Sequence, residues 1–266
     1  YVEDNWNITD NFLAYIGARW DTFENLNGFG QTYVKIEDQF GPRLGFSWDV
    51  NGDSTLKLYG NAGRYALPLT PSVAVRGASA SLFTRQNFRF AGVDPATGAP
   101  VGLDTPGALQ YVNGEFGEPK NPATVAATNL DPMYQDEFIL GFQKQITEHQ
   151  SIGARGIYRK LKAAIDDNCD YNPIVEQAVA DGFEPALPGA GFPYCRMFNP
   201  GADSVFLTDL EDNGTLTEYT VQGDLLSPEA KRSYKSLELF WDGGWEKFFF
   251  QASYTLAWNK GNTEGG

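Results

Sequence analysis

Apolar and polar side chains alternate with a period of two along much of the chain. The clearest case is 135–146 followed by 151–160. In the first segment Phe138, Leu140, Phe142 and Ile146 fall on one side, and Gln135, Glu137, Gly141, Gln143 and Gln145 on the other. The return segment sets Ile152, Ala154 and Tyr158 against Ser151, Gly153, Arg155 and Arg159. Such alternation marks strands with one apolar and one polar face. At about 3.3 Å per residue and a tilt near 40°, roughly ten residues rise some 25 Å, enough to cross an outer membrane.

The same pattern predicts eight strands, at 1–6, 12–21, 40–50, 55–65, 135–146, 151–160, 234–241 and 248–258. The connections alternate in length. Short turns are expected at 7–11, 51–54, 147–150 and 242–246, with Asn51-Gly52 and Asp242-Gly243-Gly244 as the hairpin signals. Long connections are expected at 22–39, 66–133 and 161–233. Tight turns at one end and long loops at the other describe an all-β, antiparallel, up-and-down transmembrane β-barrel wall. Its long loops, about 66–133 and 161–233, are expected outside the cell. Pro42 is awkward inside a strand, and is best tolerated near that strand's loop end.

The tryptophans sharpen this picture. Trp6, Trp48, Trp241 and Trp245 fall at the short-turn end of their strands, and Trp20 and Trp258 at the long-loop end. Amphipathic indoles favour the two headgroup levels of a bilayer, so these six are read as aromatic girdles. The opposite face carries Arg19, Arg43, Lys57, Glu137, Arg155, Arg159 and Glu238 among Gln, Ser, Asn and many Gly. It is read as a lumen-facing polar wall, too thinly covered to fill a small barrel.

Composition adds limits. With 42% apolar and 20% charged residues, wholesale disorder is excluded. A formal charge of −14 argues against a nucleic-acid partner. No apolar run is long enough for a spanning helix. The chain opens on strand pattern and not on a signal peptide, so a targeting segment was removed or the chain is a fragment. Cys169 and Cys195 share one Gly/Pro/Asp-rich stretch and are expected to form a disulfide in an oxidising compartment.

No catalytic constellation stands out, and no cofactor or metal site is expected. The single histidine, His149, lies in a short turn. Asp166, Asp167 and Asp170 beside Cys169 offer oxygen ligands, but read first as solvated loop carboxylates. Asp49-Val50-Asn51-Gly52-Asp53 echoes a calcium loop without its spacing and closing Glu. Asp209 to Thr215, with Asn213-Gly214, reads as a small hairpin inside the long loop. Phe83, Phe88, Phe90, Tyr111, Phe116, Tyr194 and Phe206 either line a ligand vestibule or pack the loops on themselves.

Several segments come in the order seen in TonB-dependent receptors. They are Tyr1-Val2-Glu3-Asp4-Asn5-Trp6, Tyr15-Ile16-Gly17-Ala18-Arg19-Trp20-Asp21, Pro42-Arg43-Leu44-Gly45-Phe46-Ser47-Trp48-Asp49 and Leu58-Tyr59-Gly60-Asn61-Ala62-Gly63-Arg64-Tyr65. Gln135-Asp136-Glu137-Phe138, Tyr234-Lys235-Ser236-Leu237-Glu238-Leu239 and Ala252-Ser253-Tyr254-Thr255-Leu256-Ala257-Trp258-Asn259-Lys260 continue the series. The chain resembles the Oar-like branch of that family over all eight strands, though not over the two longest loops. The resemblance implies a barrel of the 22-stranded plugged kind, of which this chain supplies about eight strands. It also implies residence in the outer membrane of a Gram-negative bacterium, in contact with its lipid. The implied partners are a plug domain of the same parent chain and TonB, reached through an N-terminal part; neither plug nor N-terminal part is in this sequence. The chain ends at 261–266 inside a loop, so it reads as an internal slice of such a barrel.

The expected function is therefore that of a receptor and transporter, not an enzyme. Its long loops bind an unidentified small molecule or peptide, which is imported with energy coupled through TonB. A passive porin or a surface adhesin built on the same wall is the alternative.

Overall fold

The computed structural model describes residues 1–112, 116–185 and 194–263. Eight long strands form one antiparallel sheet in which every strand pairs with its sequence neighbour in the wall. They are β1 (Val2–Thr9), β2 (Phe12–Leu26), β3 (Thr32–Asp49), β4 (Leu56–Ala66), β5 (Tyr134–Thr147), β6 (Gln150–Ala163), β7 (Arg232–Trp245) and β8 (Phe248–Gly261). This is the up-and-down order that alternating turns and long connections demand. Among the described residues no helix is long and apolar enough to cross a membrane. The expected loop at the chain end falls partly on 264–266, which lie outside the described residues.

The register shows shear. One row of paired residues runs Phe12, Trp48, Leu58, Phe142, Ala154, Leu239 and Tyr254. It starts at the first residue of β2 and reaches β8 well above Phe248, that strand's turn-end residue. The wall thus slides by about one residue per strand, the stagger that tilted strands need to curl into a barrel.

The apolar side chains of this sheet are not a core. Leu140 is 64% exposed and Phe138 52%, in the middle of β5. The buried apolar residues lie almost entirely in the long connections and in the residues that touch them. A water-soluble sheet would bury one of its faces.

Three local expectations change. The stretch 22–39 is not a loop: β2 and β3 continue upward as a tall hairpin whose tip is held by Asn27, its Oδ1 accepting from the Phe29 and Gln31 amides at 3.0 Å each. Adjacent Tyr33 and Val34 are both buried, because loop residues cover the hairpin there. Period-two alternation therefore fails, although the segment is still strand. A bulge with Asp38 at φ 55 separates this upper part from the wall below.

Asp242-Gly243-Gly244 is not the seventh turn. These residues pair with Gln251, Phe250 and Phe249, and the chain reverses at Glu246 and Lys247. The Phe250 ring lies on Gly243, where a Cβ would stand 2.2 Å from a ring carbon. Pro42 is in mid-strand, opposite Ala18, and not near a strand end. Pairing of β3 with β4 starts only at Arg43, so on that side the missing N–H falls just outside the ladder.

Candidate functional site

The two long connections, 67–133 and 164–231, fold together into a cap at one end of the wall. The first holds helix α1 (Pro71–Ala78), and the second α2 (Asn172–Ala180) and α3 (Gly223–Leu226). Backbone hydrogen bonds stitch them: Met197 N donates to Val125 O and Ala127 N to Met197 O, both at 2.9 Å. Asn199 Nδ2 donates to Ala164 O at 2.9 Å and to Asp131 O at 3.1 Å.

Two apolar clusters fill the cap. One joins Tyr33 and Val34 of the hairpin to Leu69, Val73, Val125, Met133, Ile165 and Met197. The other packs Ile174 and Ala178 of α2 on Phe198, Phe206, Tyr219 and Val221. Phe206 and Tyr219 come from a strand pair, Ser204–Thr208 with Thr217–Val221. Its turn is closed by the Asp209 carboxylate, which accepts from the Asn213 and Gly214 amides at 3.0 and 2.6 Å.

Cys169 and Cys195 are bonded to each other, Cα to Cα 4.2 Å. Their sulfurs lie with an Asp167 oxygen within 4.8 Å. A disulfide offers no thiolate, and Asp167 already accepts from Arg76, so the trio has little to give a cation. Asp170 is occupied as an acceptor for the Asn172 amide at 3.1 Å.

Two cations inside the cap had no sequence signal. Arg196 is 2% exposed, donating to Leu207 O at 2.7 Å beneath the rings of Tyr194 and Phe206, each 5.8 Å away. Burial pushes its pKa down to about 10. Lys120 is also buried, and its Nζ donates to Arg76 O at 2.6 Å and Ser79 O at 3.0 Å, where α1 ends. A cation there satisfies carbonyls the helix leaves open.

The loop aromatics divide. Phe206 belongs to the cap's core, and Tyr194 covers Arg196 and Lys120 and bonds the Thr124 hydroxyl. Phe83, Phe88, Phe90, Tyr111 and Phe116 are exposed. They sit in a separate finger made of two small strand pairs, Thr84–Arg85 with Gln110–Tyr111 and Phe90–Val93 with Pro100–Leu103. Between the tall hairpin and the cap lies a cleft of about 740 Å³, bordered by Tyr33, Lys35, Glu37, Asn121, Pro132 and Leu207.

Below the cap, register puts Arg19, Arg43, Lys57, Glu137, Arg155, Arg159 and Glu238 on one face. Their charges are matched locally. Arg155 Nε is 2.5 Å from Glu238, Arg159 pairs with Glu137, and Arg19 Nε is 2.6 Å from Asp21. Arg43 lies 4.7 Å over the Tyr65 ring and Lys57 5.7 Å over Tyr59. The glycines of this face are not bare: rings of Tyr15, Tyr65, Tyr59 and Phe240 lie against Gly17, Gly63, Gly141 and Gly153. Sequence reading missed these ring-on-glycine pairs, though Tyr59 opposite Gly141 and Phe240 opposite Gly153 share rows.

Trp6, Trp20, Trp48, Trp241, Trp245 and Trp258 all project from the other, apolar face. Trp20 meets Phe40 at 5.1 Å with the rings tilted, Trp48 meets Phe12 at 6.5 Å, and Trp241 meets Phe250 at 4.7 Å. His149 sits in the β5–β6 turn with its ring 5.9 Å from Trp245.

No family model matches the chain. In sequence it is similar to the TonB-dependent transporter Oar of Myxococcus xanthus, with 20% identity over 187 residues. That match covers 63% of this chain and 17% of the relative, so the chain spans a minor part of that protein's length. Among solved structures, a chain of the FpvAI–pyocin S2 complex aligns over 98% of this chain and 23% of its own, at 13% identity and a TM-score of 0.46. The sheared up-and-down wall with one apolar and one polar face has the architecture of a β-barrel segment, and the sequence likeness to Oar supports a fragment of a TonB-dependent receptor.

Proposed function

We propose that this chain is a portion of an outer-membrane importer whose cap binds a ligand and whose polar face lines the import path. The apolar face then meets lipid, with the six tryptophans at the two headgroup levels, and the cap faces outward from the cell. A plug domain of the same parent chain occupies the lumen, and TonB supplies energy through it. The observation that carries this reading is the split between a wall that exposes its apolar side chains and an ordered cap that buries its own. Ordered loops with private cores suit selective capture better than a passive pore. The cleft beside the tall hairpin and the exposed aromatics of the finger are the surfaces offered to a small molecule or peptide.

Orientation is tested with a membrane-impermeant maleimide on intact cells carrying Ala96→Cys in the finger or Glu148→Cys in the β5–β6 turn. The finger cysteine should react at once and the turn cysteine only after lysis. Equal reaction of both in intact cells would defeat the reading. Import is tested by measuring which medium components cells deplete, with and without working TonB. Depletion that needs this protein but not TonB would instead assign a passive porin, and binding without depletion an adhesin.

A further inference from the structure

We propose that the cleft beside the tall hairpin holds an extended peptide, which adds to the free edge of β3 in the place that β4 leaves vacant. This deepens the reading of the cap as a ligand-binding surface and rests on it. On one edge β3 pairs with β2 from Trp48 up to Thr32. On the other it pairs with β4 only from Asp49 to Arg43. β4 ends at Ala66 and turns into the cap, where Leu67 N donates to Met133 O at 2.8 Å. Upper β3 therefore rises without a neighbouring strand on that side.

Among the described residues, no backbone N–H or C=O of 32–37 bonds a group outside the β2–β3 ladder. In an antiparallel pair every second residue turns both groups away from its partner, so this edge offers donors and acceptors in alternation. Such an edge is a template for another strand. The cleft of about 740 Å³ runs along it, bordered by every residue from Thr32 to Glu37. A strand shows only alternate residues on one face, so an unbroken run marks the edge itself. Across the cleft, Ala123, Ala126 and Ala127 are small enough to leave room, and Pro122 and Pro132 have no N–H to compete. Only a polypeptide backbone repeats donor and acceptor at the spacing of the strand it meets.

Side chains on the edge set the character of the peptide. Val34 is buried in the cap's first apolar cluster and Ile36 packs against it, whereas Lys35 and Glu37 are exposed. A strand added here sets one row of side chains beside that cluster and the other in water. The watered side carries Glu37, 2.5 Å from Lys35 Nζ, and Glu24, which accepts from the Thr32 hydroxyl at 2.7 Å. Two carboxylates against one cation leave a negative surplus, in a chain of formal charge −14. The fitting ligand alternates apolar residues with lysine or arginine.

The test uses full-length protein in detergent and a fluorescent, capped hexapeptide of alternating valine and lysine, with binding read by fluorescence polarisation. The peptide should bind saturably, and its valine–glutamate counterpart at least about tenfold more weakly. A strand turns alternate amides to opposite edges, so N-methylation of the valine amides and of the lysine amides should act differently. One pattern should weaken binding by at least about tenfold and the other should be tolerated. Ala123→Trp, at an exposed position on the far wall, should fill the cleft and abolish binding. Glu37→Gln should weaken the basic peptide about threefold. Absent binding, an equal response to both methylation patterns, or unchanged binding in either variant overturns the proposal. TonB-dependent depletion by cells without peptide binding defeats this proposal alone. Peptide binding without such depletion defeats the importer reading alone, so the two failures are distinct.

Discussion

Arg76 Nη1 lies 2.7 Å from Asp167 Oδ2, joining α1 of the first long connection to the short strand Asp166–Asn168 of the second. The carboxylate side chain is 3% exposed and the guanidinium 58%. The hydrogen bond it donates to Asp167 holds the Arg76 guanidinium above its ordinary pKa. Arg76→Ala leaves a buried carboxylate short of a donor, with an expected cost of about 1–2 kcal/mol to the cap. Hydrogen exchange should quicken at 71–78 and 166–168 while the wall amides hold. Equal loosening of β5 and β6 would show that cap and wall are one cooperative unit.

The disulfide closes a loop of sequence separation 26 that contains α2. Cys169→Ser with Cys195→Ser should weaken the cap by about 3 kcal/mol, chiefly by freeing the unfolded loop. A glutamate-specific protease should then cut at Glu176 or Glu184 much faster than in wild type. Unchanged cutting would mean that the apolar cluster around α2 holds the loop without the bond.

Tyr219 is buried in the cap, and its Oη donates to Asp181 at 2.8 Å. Burial and that carboxylate push its pKa up to about 12, above the ordinary value of 10.0. The folded state therefore holds the phenolic proton more tightly than the unfolded chain does. The resulting stability is complete below pH 10 and is lost as pH rises toward about 12, up to roughly 2 kcal/mol. A cap melting temperature followed between pH 8 and 12 should fall steeply in wild type. Tyr219→Phe should begin lower and fall less; parallel curves would remove Tyr219 as the cause.

Gly153 lies under the Phe240 ring, where a Cβ would stand 2.1 Å from a ring carbon. Gly153→Val should cost about 2–3 kcal/mol of wall stability through overpacking. Phe240→Ala removes the obstacle, so the double variant should be more stable than Gly153→Val alone. The heat needed to unfold the barrel band on a detergent gel reads this directly. A Gly153→Val band as heat-resistant as wild type would contradict the close approach.

The wall was largely legible because its information is local. Phe138, Leu140 and Phe142 against Glu137, Gly141 and Gln143 state a two-faced strand without reference to any distant residue. The same logic failed where a second surface intervened. Tyr33 and Val34 are covered by loop residues, so 22–39 lost its alternation and read as a loop. Gly243 read as a turn residue because a glycine carries no trace of the ring that lies on it. Arg196 and Lys120 read as ordinary loop charges, since nothing near them in sequence announces burial.

Sequence alone determined that eight strands build the wall, their up-and-down order and their two faces, since each follows from spacing along one strand or from the length of one connection. Tertiary structure alone decided that the two long connections become one cap, which cations enter it, and which rings close over which glycines. The physical reason is separation: Arg76 and Asp167 are 91 residues apart, and a contact between such distant positions has no period to read. Its energy exists only once both segments are folded against each other.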